Sequence, residues 1–378
     1  MTDPLDELLC DLVAIDSVNP ALVPGAAGEA RIAAFIAAWL EKAGLEVQLV
    51  ETAPARPTVI GIARGTGGGR TLLLNGHVDT VGVSGMPHPF EPLIRAGRLY
   101  GRGAYDMKGG LAACMSAVAA AKKYRLRGDV ILTAVVDEEY AGLGSMSVAG
   151  KFPAAGAIVA EFTELRLVPA HKGFVWLELE TSGKAAHGSR PDLGVDAIVK
   201  MGPVLMELER LGRDLAARPP HPLLGHASVH ASLIEGGREL ATYPDRCLLS
   251  IERRTLPGET PGTVQAELAA ILARLQVADP QLQASLRCKL DRPPMETPPD
   301  AAILSAVRAA AARVLGRPAE VAGVPFWTDA ATLWAAGIPT LLFGPSGAGA
   351  HAAEEWVDLD SVHTCAEVYL ATALEFCA

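Results

Sequence analysis

Apolar and polar positions follow two different periods along the chain, and these periods predict most of its elements. Apolar residues three or four positions apart predict helices over Pro4–Ala14 and Glu29–Ala43, and short apolar runs predict buried strands. Further helices are predicted at Leu111–Lys123, Ala301–Leu315 and Ser361–Phe376, and strands at Glu46–Val50, Val59–Ala63, Arg70–Leu74, Val130–Val136, Ile158–Ala160 and Thr340–Phe343. Helices that alternate with buried strands predict an α/β fold, with a mixed, mostly parallel sheet covered by helices on both faces.

The pattern changes between residues 172 and 293, where apolar and polar residues alternate with the period of half-buried strands. The predicted elements there are Phe174–Glu180, Val195–Ala217, Ala227–Ile234, Arg246–Arg253, Thr263–Leu275 and Leu282–Leu290. Their order, βαββαβ, is typical of a ferredoxin-like unit. We therefore predict a first part of one domain at residues 1–171, an inserted lid or dimerisation domain at 172–293, and the second part of the first domain at 294–378.

Composition narrows the class of protein. Hydrophobic residues make up 50% of the 378 positions and charged residues 20%, so the chain can bury a sizeable core. The net charge of −10 argues against a nucleic-acid partner and against binding to an anionic membrane surface. The six cysteines are scattered, the N-terminus shows no secretory signal, and no apolar run is long enough to span a bilayer. These features predict a cytoplasmic protein with reduced thiols.

Residues with metal-binding side chains follow three of the predicted strands. His77 and Asp79 come after the apolar run Leu72–Leu74, three acidic residues at 137–139 follow another strand, and Glu161 follows a third. Because ligands collect at the carboxyl ends of strands in open α/β sheets, we expect these side chains to lie close together. Each signal alone has a simpler interpretation, such as a surface loop or a solvated acidic turn.

Two glycine-rich segments carry further candidates. Asp106 lies in a run with five glycines between Gly97 and Gly110, ahead of a predicted helix, where it could also be an ordinary N-cap. His351 follows the last predicted strand on a glycine-rich loop, a place where most histidines are simply solvated. Two imidazoles with several carboxylates suit zinc or another first-row divalent ion, and two ions can share one bridging carboxylate.

Together these segments resemble one enzyme family. The chain is similar to the metal-dependent amidohydrolases and exopeptidases that include acetylornithine deacetylase, succinyl-diaminopimelate desuccinylase, aminoacylases and bacterial glutamate carboxypeptidases. The matching segments run in the family's order through nearly the whole chain: Gly76–Thr80, Gly101–Gly110, Asp137–Glu139, Ala160–Glu161, Gly183–His187, Arg254–Glu259 and Ala350–Glu355.

The resemblance implies a two-metal site. His77 and Glu161 would bind one divalent ion, Glu139 and His351 the other, and Asp106 would bridge them. Zinc is the expected metal, with cobalt or manganese as alternatives. The resemblance also implies a cis peptide bond after Asp106.

Four more residues receive roles from the same resemblance. Asp79 would fix the tautomer of His77, and Glu138 would be the general base that takes a proton from water and passes it to the leaving amine. His187 would stabilise the oxyanion from the other subunit of a homodimer, and Arg254 would bind the substrate's carboxylate. A monomer, and a plain salt bridge at Arg254, are the alternatives.

The implied reaction is hydrolysis of the amide bond of an N-acyl-L-amino acid, or of a short peptide if the protein is a carboxypeptidase or a di- or tripeptidase. A non-catalytic binding protein should have lost a ligand or the base, and no such loss is visible. A binuclear phosphoesterase is disfavoured by the context of Arg254 and His187. One departure from the family pattern is Ala241, which stands where many relatives have an asparagine. It leaves the exact acyl group open.

Overall fold

The computed structural model describes residues 3–378, which form two compact units. The first unit comprises the chain up to Pro169 together with Thr297–Ala322 and Thr328–Ala378, and the second comprises Ala170–Glu296 and Gly323–Trp327. Met1 and Thr2, which belong to the first predicted domain and to the N-terminal segment without a predicted secretory signal, lie outside the described residues.

The elements alternate between helix and strand in the first part of the chain. Its helices are α1 (Pro4–Val13), α2 (Ala30–Lys42), α3 (Gly109–Ala121) and α4 (Leu143–Val148), with a π-helical turn at Ala104–Lys108. Its strands are β1 (Glu46–Ala53), β2 (Arg56–Ala63), β3 (Leu72–His77), β4 (Leu93–Arg95), β5 (Arg98–Tyr100), β6 (Val130–Val135), β7 (Gly156–Val159) and β8 (Leu167–His171).

The middle of the chain has fewer and longer elements. They are β9 (Gly173–Ser182), α5 (Ala197–Ala217), β10 (Ser228–Gly236), β11 (Arg246–Thr255), α6 (Pro261–Ala278) and β12 (Gln283–Arg292). The remainder consists of β13 (Met295–Glu296), α7 (Ala302–Leu315), β14 (Val321–Val324), α8 (Ala330–Ala335), β15 (Thr340–Leu342), β16 (Gly347–Ala348), β17 (Trp356–Asp358) and α9 (Leu359–Phe376).

A mixed sheet forms the centre of the first unit, in the strand order β1-β2-β6-β3-β7-β15-β8. The central strands β6, β3, β7 and β15 are parallel, whereas β1, β2 and β8 run antiparallel to their neighbours. Both faces are buried: along β6, Val130 and Leu132 pack into the main core, and Ile131 and Val135 pack into a second cluster on the opposite face. The predicted mixed α/β fold is confirmed.

The parallel strands place their carboxyl ends at one edge of this sheet. His77 is the last residue of β3 and lies opposite Val135 of β6, and Asn75 lies opposite Val159 at the end of β7. The residues that follow these three strands therefore start from neighbouring positions. This edge carries most of the candidate ligands.

A small antiparallel sheet, in the order β16-β17-β5-β4, also belongs to the first unit. Trp356 of β17 pairs with Tyr100 of β5, so the segment after β5 and the segment before β17 leave the sheet side by side. Asp106 lies shortly after β5, and His351 lies in the loop between β16 and β17. These strands have only two or three residues each, too few for a periodic sequence pattern to predict them.

The second unit contains an antiparallel sheet in the order β10-β11-β9-β12. Alternate residues of β9, such as Val175, Leu177 and Leu179, are buried together with apolar residues of α5 and α6. The strand order and the βαββαβ sequence of elements are those of the predicted ferredoxin-like fold. Its roles as a lid and in dimerisation stay predictions.

Across residues 3–378, no helix is both long enough and apolar enough to cross a membrane. The cytoplasmic location inferred from the cysteines stays a prediction.

Candidate metal centre

Three strand ends and two loops bring six of the predicted site residues together in the first unit. His77 ends β3, Glu138 and Glu139 follow β6, and Glu161 follows β7. The candidates from the loops, Asp106 and His351, approach the same place. All of these except His351 have at most 11% of their side chain exposed, and His351 has 55%.

One imidazole faces three carboxylates. His77 Nε2 lies 3.1 Å from Asp106 Oδ1, 3.7 Å from Glu161 Oε1 and 3.9 Å from Glu138 Oε2. His77, Glu138 and Glu161 each offer one ligand atom within 4.8 Å of the others. This geometry fits a divalent ion at His77 and Glu161, and it also brings Glu138 within reach of that position.

The second imidazole faces the other oxygen of the same aspartate. His351 Nε2 lies 3.2 Å from Asp106 Oδ2 and 3.0 Å from Glu139 Oε2. Asp106 therefore has one carboxylate oxygen beside each imidazole. This is the arrangement that a carboxylate shared between two ions requires.

The cluster places four carboxyl groups beside two imidazoles, so the acidic groups outnumber the positive groups that face them. Burial, with the neighbouring charges of the cluster, raises the pKa of Glu139 to about 7 and that of Glu161 to about 8. Burial also raises the pKa of Glu138 well above its usual range, against the opposing charge of His77. Asp106 is the exception, because hydrogen bonds from His351 and His77 outweigh its burial and lower its pKa.

The imidazoles respond in the opposite direction. Burial by itself would lower the pKa of His77, but the hydrogen bond to Asp106 and the charges of Glu161 and Glu138 raise it well above the usual range. Hydrogen bonds to Asp106 and Glu139 raise the pKa of His351 to about 10. The site thus attracts positive charge, as protons or as metal ions.

The residues fit a pair of divalent cations. Glu139 Oε1 is buried and has no hydrogen-bond partner among the described residues, although a buried carboxylate oxygen normally has one. Two imidazoles and four surrounding carboxylates are the donor types that zinc, cobalt and manganese bind. Cations would neutralise the crowded carboxylates and supply the missing partner of Glu139.

Asp79 orients His77 mainly through its main chain. His77 Nδ1 lies 2.9 Å from the carbonyl oxygen of Asp79 and 3.7 Å from its carboxylate. A carbonyl only accepts hydrogen bonds, so Nδ1 carries a proton, and Nε2, which is directed at the cluster, is the nitrogen that can bind an ion once its own proton is lost. The Asp79 carboxylate instead accepts hydrogen bonds from the backbone N–H groups of Glu138 and Glu139 at 3.1 and 3.2 Å.

A buried polar network behind Asp79 was not predicted. Asn19 Nδ2 donates to Asp79 at 2.8 Å and to Asp137 at 3.1 Å. Arg56 forms ion pairs with Asp137, at 2.9 Å, and with Glu29, and both carboxylates are fully buried. Asp137 has a φ of 68°, which helps to turn the chain sharply before Glu138 and Glu139. The only sequence signal was the run of three acidic residues directly after β6.

The interpretation of Asp106 as an ordinary N-cap is wrong. Asp106 is not the N-cap of α3, which is Lys108; Asp106 lies in the preceding π-helical turn. The peptide bond after it is cis, as the resemblance predicted. Asp329, which directly precedes α8, was not predicted to be near the site. Its buried charge contributes to the raised pKa values of Glu138 and Glu161.

Two predicted site residues lie in the second unit. His187 is exposed in the turn after β9, and its Nδ1 lies 2.8 Å from the hydroxyl of Ser189. Arg254, near the end of β11, donates from Nε to Glu252 at 2.6 Å, and its guanidinium lies 5.3 Å from the ring centre of Phe174.

Comparison with known proteins identifies the family. The model of peptidase family M20/M25/M40 matches residues 73–375. Acetylornithine deacetylase of Myxococcus xanthus is 30% identical over 397 residues, which cover 100% of this chain and 99% of that protein. N-formyl-4-amino-5-aminomethyl-2-methylpyrimidine deformylase of Bacillus subtilis is 28% identical over 389 residues, covering 94% and 91%.

A solved structure of a Bacillus subtilis dinuclear metal-binding peptidase from the M20 family has the same fold. It superposes with a TM-score of 0.76 at 18% identity, covering 99% of this chain and 98% of that one. Because the family match spans most of the chain and a relative aligns over its full length, the chain belongs to peptidase family M20/M25/M40 and is a metal-dependent hydrolase.

Proposed function

We propose that the protein is a two-metal amidohydrolase that removes a small acyl group from the amino nitrogen of an amino acid or a closely related amine. The observation that carries this proposal is the position of Asp106, whose two carboxylate oxygens lie 3.1 and 3.2 Å from two different imidazoles. The dinuclear peptidase with the same fold supports two ions in such a site. Zinc is the proposed metal, with cobalt or manganese as alternatives.

The proposed ligand sets follow the observed distances. His77 and Glu161 would hold one ion, and Glu139 and His351 would hold the other, with Asp106 between them. When bound, such ions polarise a carbonyl group and lower the pKa of water. The protein's part is to hold the reacting groups in place and to move the protons.

Glu138 is the proposed proton carrier. Its backbone is fixed by the hydrogen bond to Asp79, and its carboxylate lies near His77 without being needed in either ligand set. It accepts a proton from the attacking water and delivers that proton to the leaving amine. A raised pKa suits a group that must hold a proton between these two steps.

The second unit would supply the substrate contacts. Arg254 Nε donates to Glu252, which leaves the two Nη nitrogens as the donors for bidentate hydrogen bonds to a substrate carboxylate. Glu252 is itself held by Trp176 Nε1 at 2.7 Å. His187 would stabilise the oxyanion of the transition state.

The relatives favour a small acyl group. One is named for the removal of an acetyl group and the other for the removal of a formyl group, and both align over more than nine-tenths of this chain. Ala241 places a methyl group where many relatives have an amide, so the acetylornithine specificity does not transfer directly. The peptidase that shares the fold makes short peptides the second candidate substrates.

A substrate panel tests the proposal. Purified protein loaded with zinc, cobalt or manganese would be assayed with N-formyl, N-acetyl and N-succinyl amino acids, γ-glutamyl amino acids and dipeptides. We expect the largest kcat/KM for an N-formyl or N-acetyl substrate and loss of all activity on chelation. Preference for dipeptides would favour the peptidase, and activity that survives complete metal removal would contradict the proposed function.

We also propose a homodimer formed through the second unit, with His187 serving the partner's active site. β10 is an edge strand of its sheet, and Leu233 and Ile234 on it are 66% and 52% exposed. Val199 and Met206 of the adjacent helix α5 are 67% and 64% exposed. An unpaired strand edge beside an apolar helix face can pair with a second copy about a two-fold axis.

A further inference from the structure

A buried ion pair outside the proposed ligand set connects two of the loops that carry ligands. Arg102 and Glu355 are 2% and 1% exposed, and Arg102 Nη1 donates to Glu355 Oε2 at 2.6 Å. Neither residue reaches the reacting atoms in the proposed mechanism. Burying two charges is costly, so their contacts need an explanation.

The Glu355 carboxylate is fully occupied by donors from the segment that leads to Asp106. Oε1 accepts the backbone N–H groups of Tyr105 and Asp106 at 2.9 and 3.0 Å, and Oε2 accepts that of Gly103 at 3.1 Å in addition to the guanidinium. One side chain therefore fixes the main chain at and just before the bridging aspartate.

Arg102 extends the same contact to the other loop. Its Nη2 donates to the carbonyl oxygen of Ala352 at 2.9 Å, and Ala352 is the residue after His351. The loop is also closed on itself, because Ala352 N–H donates to the Gly349 carbonyl at 2.9 Å. At Gly349 a Cβ atom would lie only 1.9 Å from the Glu354 carbonyl oxygen, so the loop leaves no room for a side chain there.

We propose that Arg102 and Glu355 are positioning residues that hold the Asp106 turn and the His351 loop at the separation a two-ion centre needs. The inference rests on the proposed function, in which Asp106 and His351 bind metal. We call Arg102 and Glu355 the clamp, and we expect the clamp to affect mainly the ion held by Glu139 and His351. That site depends on both clamped loops, whereas the site of His77 and Glu161 depends on one.

Replacing the carboxylate by an amide tests the clamp with little change in shape. In Glu355→Gln the NH2 end of the amide cannot accept a hydrogen bond, so two of the four donors lose their acceptor in either orientation of the amide. Glu354→Gln is the matched control, because Glu354 is the adjacent glutamate and is exposed. Metal-free forms of the wild type and of both variants would be titrated with Co²⁺, with the visible absorption bands and chelator competition as readouts.

We expect the wild type and Glu354→Gln to bind two equivalents of Co²⁺ with the same two affinities. In Glu355→Gln one equivalent should bind nearly as in the wild type and the other about 10- to 100-fold more weakly, the usual effect of removing a group that orients metal ligands. The absorption bands of the weakened site should change shape.

The other possible outcomes distinguish a failure of the clamp from a failure of the proposed two-metal function. Two unchanged affinities in Glu355→Gln, or an equal loss at both sites together with a lower unfolding midpoint, would overturn the clamp. A wild type that binds fewer than two equivalents would overturn the proposed function instead. If Glu355→Gln does not fold, Arg102→Lys provides the test. Lysine keeps the positive charge beside Glu355 but lacks the second nitrogen that reaches the carbonyl of Ala352, so we expect the same selective loss of affinity at one site. Two wild-type affinities in Arg102→Lys would contradict the clamp.

Discussion

At the scale of single residues, adjacent glutamates have different surroundings. Glu139 lies 3.0 Å from His351 Nε2, whereas Glu138 is 3.9 Å from His77 Nε2. The charges of Glu161 and Asp329 add to the effect of burial in raising the pKa of Glu138. Both backbone N–H groups are held by the single carboxylate of Asp79. Asp79 thus fixes the backbone from which the two side chains diverge, as the proposed roles of metal ligand and proton carrier require.

The first prediction concerns Glu138. Because a general base contributes about 10²- to 10⁴-fold to the rate, Glu138→Gln should lower kcat by that factor while the bound metal stays near two equivalents. Glu139→Gln should instead lose one equivalent. Metal analysis of both purified variants, together with kcat, checks this. If Glu138→Gln loses metal and Glu139→Gln keeps it, the two roles have been exchanged.

The second prediction concerns the pH dependence of stability. His171 is fully buried, its Nδ1 donates to the Lys172 carbonyl at 2.9 Å, and its Nε2 has no hydrogen-bond partner among the described residues. Burial lowers the pKa of His171 from 6.5 to about 4. At a pH between these two pKa values, the unfolded chain binds a proton at His171 that the folded protein does not. The stability that the neutral, buried His171 contributes is therefore complete above pH 6.5 and is lost as the pH falls towards 4.

The resulting decrease in the free energy of unfolding between pH 6.5 and pH 4 is on the order of 3 kcal/mol. His171→Asn keeps a donor near the Nδ1 position and cannot titrate, so its unfolding midpoint should fall less than that of the wild type between pH 6.5 and 4. His88→Asn is the control, because its side chain is 75% exposed and its loss should leave the profile unchanged. Parallel wild-type and His171→Asn profiles would contradict the prediction.

At the scale of elements, helix α3 lies unusually close to the strand that precedes Glu161. A Cβ atom at Gly110 would lie 1.9 Å from the carbonyl oxygen of Ala160, so only glycine allows the helix and the strand end to approach so closely. Ala160 is fully buried and directly precedes Glu161. The packing of α3 therefore sets the position of a proposed ligand.

The third prediction follows from this packing. Gly110→Ala should lower the free energy of unfolding by about 1–3 kcal/mol or more, because backbone must move to admit the methyl group. Gly212→Ala, in the interior of α5, is the matched control: its Cβ would meet only Val229 at 3.8 Å. There alanine should stabilise by up to about 1 kcal/mol. Urea unfolding of both variants checks the opposite signs, and a neutral Gly110→Ala would contradict the packing argument.

At the scale of the whole molecule, two sheet edges that could form a dimer, β10 and β1, carry exposed apolar residues. β10 carries Leu233 at one edge of the second unit's sheet, and β1 carries Leu49, 58% exposed, at one edge of the first unit's sheet. Among the described residues, β10 exposes two large apolar side chains, Leu233 and Ile234, whereas β1 exposes one, and Ile198 of α5, 44% exposed, lies against Gly236 at the end of β10. This difference favours β10 as the dimer edge.

The fourth prediction is that Leu233→Lys separates the subunits and Leu49→Lys does not. Light scattering after size exclusion should give twice the 39.4 kDa of one chain for the wild type and for Leu49→Lys, and one chain for Leu233→Lys. A lysine on the edge introduces unpaired charge where two strands would meet. A monomeric wild type would contradict the dimer.

Mixed subunits test whether His187 acts across the dimer. Homodimers of His187→Ala and of Glu138→Ala should both be nearly inactive. A heterodimer of the two should recover activity in one of its two sites, which then combines an intact base with the partner's intact histidine. Verified heterodimers without recovery would remove the proposed role in the partner's site.

The sequence alone was enough for the features that repeat over short distances. The periods of apolar residues predicted the mixed α/β sheet and the βαββαβ unit, because burial of a helix face or a strand face leaves its mark every few residues. The strand-end positions of His77, Glu138, Glu139 and Glu161 followed from those strands. Their roles as ligands and base, and the domain limits, stay predictions.

Only the tertiary structure decided which residues support this site. Arg102 and Glu355 are 253 positions apart, and Asn19 and Asp137 are 118 apart. Neither pair belongs to a local pattern, since a charged residue that is buried against a distant partner looks in sequence like any solvated charge. Such contacts arise only when the sheet and its connecting loops bring the distant segments together, because hydrogen bonds and ion pairs depend on distance in space and not along the chain.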